Sequence, residues 1–238
     1  MYKTKERVRY SECGMDNQIK IPAIINYFQD CTTENSETIG VGHAYLREKK
    51  RAWILNSWQV EIMRRPSVRE CIEVSTWATG FRGVFGPRDF CMKTADGEEL
   101  ARAHSLWVYI DTESGRPVKP TEEEIEVYEV GESILMEEIS RKIKMPEGAI
   151  EVDTFPVHQY HIDTNAHVNN SKYIELACEV LPQHFKVKKF RVEYRKAAVL
   201  GDTIVLKRVT EEERIVAELC DEQGNTYAVV EFLGELKI

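Results

Sequence analysis

The chain has 238 residues, 42% of them apolar and 30% charged, and a formal net charge of −8 from 32 Lys and Arg against 40 Asp and Glu. That size and composition suit a globular protein burying one large core or two of about 100 residues each. The acidic balance disfavours nucleic acid as a general partner. No apolar run approaches a bilayer span, and Met1-Tyr2-Lys3-Thr4-Lys5-Glu6 opens without a signal-peptide apolar region, so the expectation is a cytoplasmic protein with no membrane span.

In chain order, a polar stretch Met15-Asp16-Asn17-Gln18 precedes a helical stripe at Ile24, Tyr27, Phe28 and Cys31, with Pro22 in a first turn that tolerates it. A basic run, Arg47 to Arg51, leads into a strand over 53–60, and Arg64 and Arg65 follow it. Further strands are predicted at 71–77 and 103–110, where residues are β-branched or aromatic and partly alternate. From Asp111 to Gly148 the chain is rich in Gly, Pro and Glu, including Glu122-Glu123-Glu124, and reads as a connector with short ordered pieces at 125–128 and 134–139. A second helical stripe comprises Ile174, Ala177, Cys178 and Leu181, stopped by Pro182, and strands follow at 189–194, 203–208, 214–220 and 226–233.

The second half repeats the first. The helical stripes are offset by 174 − 24 = 150 positions, Val60-Glu61-Ile62 and Val192-Glu193-Tyr194 by 132, and the turns at Asp96-Gly97 and Gln223-Gly224 by 127. Order is kept while the offset falls, so both halves are one unit of a short strand, a helix and several strands. A helix against a mostly antiparallel sheet is an α+β arrangement. The expected organisation is an N-terminal unit over 1–130, a linker over 131–150 and a C-terminal unit over 151–238.

The densest chemistry lies just ahead of the second helix, in Asp163-Thr164-Asn165-Ala166-His167-Val168-Asn169-Asn170-Ser171. A carboxylate accepts a proton, a carboxamide donates to a carbonyl oxygen and an imidazole shuttles protons near neutral pH, a set suited to acyl transfer to water. Taken singly, each is an ordinary cap or loop residue; the cluster carries the reading. Asn169, Asn170 or Ser171 can cap the helix, and backbone N–H groups of Val168, Asn169 and Asn170 are candidate oxyanion donors at its positive end. In the first half, Asn17 or Gln18 stands where His167 falls, so only the second half is expected to be catalytic.

A metal site built from His158, His161, Asp163 and His167 matches no ligand spacing, and no cofactor is expected. His43, His104 and His184 read as surface or packing residues. The six cysteines form no C-x-x-C pair, which suggests reduced thiols.

The segment from Asp163 to Ile174, followed by Val192-Glu193-Tyr194-Arg195-Lys196, closely resembles the acyl-acyl carrier protein thioesterases of bacteria and plant plastids. Ala52 to Leu55, Arg64-Arg65-Pro66 and Ala101 to Val108 resemble that family's N-terminal unit, so the likeness spans nearly the whole chain. The resemblance implies a tandem double-hotdog fold, each half a long helix wrapped by an antiparallel β-sheet, and hydrolysis of fatty acyl thioesters carried on acyl carrier protein. It places Asp163, Asn165 and His167 in the catalytic segment. The plant enzymes carry an acid and a cysteine where this chain has Ala197 and Ala198, so attack by water replaces a cysteine nucleophile.

On this reading Ile24, Phe28 and Trp58 shape an acyl tunnel, and Arg47, Lys49, Lys50, Arg51, Arg64 and Arg65 are candidates to dock an acidic carrier. A homodimer is left open. Competing readings are an acyl-coenzyme A thioesterase, a non-catalytic acyl-binding protein of the same fold and, ranked last, a hotdog dehydratase.

Overall fold

In the computed structural model all residues are described except 135, 138, 139, 237 and 238, which include part of the expected ordered piece at 134–139. The chain divides into two units: Met1–Asn56 with Ile62–Glu138, and Ser57–Glu61 with Ile139–Ile238.

The first unit contains β1 (Tyr2–Arg7), α1 (Ile21–Thr38), α2 (His43–Glu48), β2 (Arg51–Ile62), β3 (Cys71–Ala78), β4 (Phe85–Thr94), β5 (Glu99–Asp111) and the short α3 (Glu122–Glu126). Its strands run in the order β1-β3-β4-β5-β2. Pairing is antiparallel where β3 meets β1 and β4, and where β4 meets β5. Pro22 sits in the first turn of α1, whose buried side includes Ile21, Ile24, Ile25, Tyr27, Phe28 and Cys31. That side meets the sheet: Phe28 lies 5.1 Å from Phe90 of β4 by ring centroid, and the Cys31 thiol reaches the Val74 carbonyl of β3 at 3.6 Å. At the β4–β5 hairpin the chain needs a left-handed residue, and Gly97 supplies φ +92°.

The second unit contains β6 (Ile150–Pro156), α4 (Asn170–Cys178), β7 (Phe185–Tyr194), β8 (Thr203–Thr210), β9 (Arg214–Cys220) and β10 (Thr226–Leu236), with strand order β7-β10-β9-β8-β6. Ser57–Glu61 of β2 pairs antiparallel with β7, Trp58 standing opposite Val192. Only the first helix is long: α4 has nine residues and ends four positions before Pro182.

The expected strands are all present. β1 is the short strand expected ahead of the first helix, whereas β4 has no counterpart among the expected strands because it opens Phe-Gly-Pro-Arg-Asp. His104 is not a bare surface residue. Its Nδ1 lies 2.5 Å from Oδ1 of Asp89, its cross-strand partner, which is fully buried. The other Asp89 oxygen accepts from Ser133 Oγ at 2.9 Å and from the Ile134 N–H at 2.6 Å. The Trp77 indole donates to the Glu132 carbonyl at 2.9 Å, and the Gly131 N–H to the Ala78 carbonyl. A side chain at 131 would collide with the Trp77 ring, 2.6 Å from an added Cβ. The start of the connector is thus strapped to β3 and β4. Removing the carboxylate strands buried donors, so Asp89→Ala should destabilise the protein by about 2 kcal/mol and speed proteolysis within 130–134. An unchanged denaturation midpoint and cleavage rate would contradict that role.

Candidate active site

Residues 162–168 form a tight loop closed by an antiparallel bridge between Ile162 and Val168. The Asp163 N–H donates to the His167 carbonyl at 2.8 Å, and the Ala166 N–H to the Asp163 carbonyl at 3.1 Å. One carboxylate oxygen of Asp163, Oδ1, accepts from the Asn165 N–H at 2.8 Å and the His167 N–H at 3.4 Å. Ala166 turns the chain with φ +62°, a left-handed conformation that an alanine adopts at a cost of roughly 1–2 kcal/mol. Asn169 caps α4 by accepting from both the N–H and the hydroxyl of Ser171, each at 2.9 Å.

Two further contacts lock the loop. The Val168 N–H donates to the Ala198 carbonyl, and the Asn169 N–H to the His161 carbonyl, both at 2.9 Å. Ala198 is fully buried and its own N–H donates to the Tyr173 hydroxyl at 2.8 Å. Burial pushes the Tyr173 hydroxyl up to about 12, against the opposing Ala198 N–H, with the charges of Asp202 and Asp163 adding to the rise. Tyr173, Ala198 and His161 therefore position the loop. None was singled out for this from the sequence.

These bonds correct the expected oxyanion donors. The N–H groups of Val168 and Asn169 are spent on Ala198 and His161. Asn170 opens α4 and its carbonyl accepts from the Tyr194 hydroxyl at 3.0 Å. The Tyr194 bond engages the carbonyl of Asn170 and not its N–H, which stays a candidate, and the loop adds side-chain donors. Asn165 and His167 are exposed, and their side chains have no hydrogen-bond partner among the described residues. Oδ2 of Asp163 is likewise uncommitted. One loop thus presents a carboxylate oxygen, a carboxamide and an imidazole to whatever approaches it.

The first unit builds the same loop with different side chains. Cys13 bridges Ile19, the Gly14 N–H donates to the Gln18 carbonyl at 2.9 Å, the Asn17 N–H donates to the Gly14 carbonyl at 3.0 Å, and Asn17 has φ +59°. Every partner is offset by 163 − 14 = 149 positions, one fewer than the helical stripes suggested, so Gly14, Asp16 and Gln18 occupy the places of Asp163, Asn165 and His167. The open choice between Asn17 and Gln18 resolves to Gln18. Arg65 ties this loop down, pairing with Asp16 and donating to the Ile19 carbonyl at 3.1 Å. At an offset of 132 the counterpart of Arg65 is Ala197, an exposed methyl that tethers nothing.

The remaining candidates separate. Ile24, Phe28 and Trp58 are buried core side chains in this conformation. Of the basic residues, Lys50 pairs with Glu113 at 2.6 Å, Arg51 with Asp111, and Arg64 with Glu70 at 2.8 Å and Glu98 at 2.7 Å. With Arg65 held by Asp16, four of the six docking candidates are already neutralised within the chain. Arg47 is exposed without an ion pair among the described residues, and the Lys49 ammonium lies 5.7 Å over the Tyr45 ring. Among the described residues no group of three or more His, Cys, Asp or Glu is placed to hold a metal ion, and no helix is long and apolar enough to cross a membrane.

Comparison with known proteins gives this geometry its context. Residues 1–128 match the profile of the acyl-ACP thioesterase N-terminal domain, and residues 145–232 that of the C-terminal domain. The chain belongs to the acyl-acyl carrier protein thioesterase family. A chloroplastic palmitoyl-acyl carrier protein thioesterase of Arabidopsis thaliana is 29% identical over 222 residues, 85% of this chain and 53% of its own length. The chain spans about half the length of that relative and of a second one from Gossypium hirsutum. Among solved structures, an acyl-ACP thioesterase from Bacteroides thetaiotaomicron superposes with a TM-score of 0.90 at 21% identity, covering 98% of this chain and 97% of its own. A 12:0-ACP thioesterase from Umbellularia californica gives 0.88 at 22% identity, covering 99% and 97%. The fold is the double hotdog of this family.

The site also has a pH signature. The His161 ring nitrogen Nδ1 accepts from the His158 N–H at 3.1 Å, and burial, with the Lys172 charge adding, lowers the pKa of the ring. The unfolded chain takes up a proton near pH 6.5 where the folded one does not. Stability from the neutral ring is therefore complete above that pH and is lost as pH falls through the folded-state value. The stability advantage of wild type over His161→Gln should shrink on acidification from about pH 7.5 to about 5.5; a constant or growing difference in melting temperature would contradict this.

Proposed function

We propose that the protein hydrolyses fatty acyl thioesters carried on acyl carrier protein, releasing free fatty acid and the carrier thiol, with the chemistry on the Asp163 loop and the first unit holding the acyl chain. The observation that carries the reading is the split of the Asp163 carboxylate: Oδ1 staples the loop while, among the described residues, Oδ2 has no partner and the side chains of Asn165 and His167 have no tether. In this reading Oδ2 orients a water and takes its proton as the water oxygen bonds to the thioester carbonyl carbon. Asn165 and His167 donate to the developing oxyanion, since the nearby backbone donors of Val168 and Asn169 are already used. Collapse of the intermediate breaks the C–S bond, and His167 passes a proton to the departing thiolate. Ala197 and Ala198 leave no thiol or acid at the positions where the plant enzymes carry them. Free, scattered cysteines support a reducing, cytoplasmic setting. Arg47 and Lys49 are the basic side chains of the 47–65 region that remain open to an acidic carrier.

The direct experiment is to incubate pure protein with a panel of acyl carrier protein thioesters and the matching coenzyme A thioesters and to quantify the fatty acids released. Carrier-bound substrates should be preferred. Asn165→Ala and His167→Ala should each lower turnover on the order of 10²-fold or more with the fold intact. No release from any thioester would leave a non-catalytic acyl-binding protein. Faster turnover of the coenzyme A esters would move the assignment to that carrier.

A further inference from the structure

An antiparallel sheet with a helix on one face commonly leaves its other face to water. In the first unit Phe90 meets α1 through Phe28 and stands opposite Thr76. Ser75, Trp77, Asp89 and Cys91, one residue along in each strand, therefore lie on the face away from α1. Ser75, Trp77 and Cys91 are nonetheless buried. Part of their cover is the connector, since the Trp77 indole donates to the Glu132 carbonyl and the Ile134 N–H to Asp89. The cover is incomplete. Ser75, Trp77 and Cys91, with Lys93, Glu99 and Ile134, line a cavity of about 210 Å³, and Lys3 and Glu73 stand at its border. That is room for about seven waters.

Two cross-strand rows set the charge of this face: Lys3, Ser75, Cys91 and Arg102 in one, and Lys5, Glu73, Lys93 and Glu99 in the other. Residues directly opposite one another share a face. The rows hold four cations against two carboxylates, a surplus of 4 − 2 = +2 on a chain whose net charge is −8. Both carboxylates are engaged: Glu73 pairs with Lys3 at 2.7 Å, and Glu99 accepts from the Cys91 thiol at 3.7 Å and lies 3.9 Å from Arg102. Asp89, in the next row, is bound by His104, Ser133 and Ile134. Burial pushes the Cys91 thiol up to about 11, so it adds no negative charge at neutral pH. Lys93, half-buried at the cavity, has no hydrogen bond or ion pair among the described residues. Trp77 and Ile134 give the same cavity an apolar wall.

We propose that this cavity is a second binding site, built from residues outside the Asp163 loop, for small amphiphilic carboxylates, with the carboxylate at Lys93 and the apolar body against Trp77 and Ile134. A cation meets the surplus positive charge, a neutral chain leaves Lys93 without an anion, and a wholly polar anion leaves the apolar wall uncovered. The volume holds a body of about six carbons. On the thioesterase reading a carboxylate on an apolar chain is also the chemical class of the released product. The site itself does not depend on that reading.

The test titrates hexanoate into the full chain, with hexanol and hexylamine as matched controls. The readout is the NMR shift of the Trp77 indole N–H, whose ring forms the wall of the cavity. Hexanoate should move that resonance saturably at millimolar concentrations. Its affinity should fall about five-fold in Lys93→Gln and further in Lys93→Glu, the size expected for one partly exposed ion pair. Both variants should keep wild-type thioester hydrolysis and, because Lys93 bonds to nothing among the described residues, wild-type stability. Hexanol and hexylamine should bind about five-fold more weakly than hexanoate or worse. No saturable shift, an equal response to hexanol or hexylamine, or hexanoate affinity unchanged in both Lys93 variants would overturn the inference. A Lys93-dependent shift in a protein that hydrolyses no thioester would sustain the site and overturn the thioesterase reading alone.

Discussion

The arrangement at Asp163 rests on a backbone lock. The Val168 N–H is bound by the Ala198 carbonyl, the Ala198 N–H by the Tyr173 hydroxyl, and the turn between Ile162 and Val168 is closed by Asp163 itself. With the amides of Asp163, Asn165, Ala166, His167 and Val168 bound by backbone carbonyls or by the Asp163 carboxylate, the loop does not need the side chains of Asn165 or His167 to hold its shape, and those side chains are left to face outward. Preorganisation of this kind keeps donors in place at the moment charge develops, so little rearrangement is needed then. The left-handed backbone at Ala166 is the strain that accompanies it.

The first unit builds the same turn without the carboxylate, carboxamide and imidazole set. Gly14, Asp16 and Gln18 occupy an equivalent turn, and Arg65 neutralises the one carboxylate there while gripping the Ile19 carbonyl. The second unit has Ala197 in place of Arg65, so nothing competes for Asn165 or His167. One copy of the repeat has its loop tied down by a guanidinium. The other leaves the Asn165 and His167 side chains without a partner among the described residues, which is the condition a reactive site requires.

Much of this was legible in the sequence because it depends on local pattern. The strands at 53–60, 71–77 and 214–220 are β-branched or aromatic, the hairpin glycines at 97 and 224 both adopt positive φ, and the Asp163 cluster is contiguous. What depended on distant partners was not legible. The basic residues at 50, 51, 64 and 65 looked free until Glu113, Asp111, Glu70, Glu98 and Asp16 came beside them. Val168 and Asn169 looked like oxyanion donors because their bonds to Ala198 and His161 leave no trace in spacing. The repeat offset was misjudged by one because apolar residues flank both helical stripes; at 149 Tyr173 aligns with Ile24 and its buried, positioning role becomes apparent.

The central claim is that the two oxygens of Asp163 have separate tasks, one structural and one chemical, and Asp163→Asn divides them. Its carbonyl oxygen can still accept from the Asn165 and His167 N–H groups, while its amide cannot take a proton from water. The decisive measurement is acyl carrier protein thioester hydrolysis by Asp163→Asn, taken together with hydrogen-exchange protection of the Asn165 and His167 amides. The account predicts protection close to wild type and turnover reduced by 10²-fold or more. Turnover near wild type with the loop still protected would contradict it.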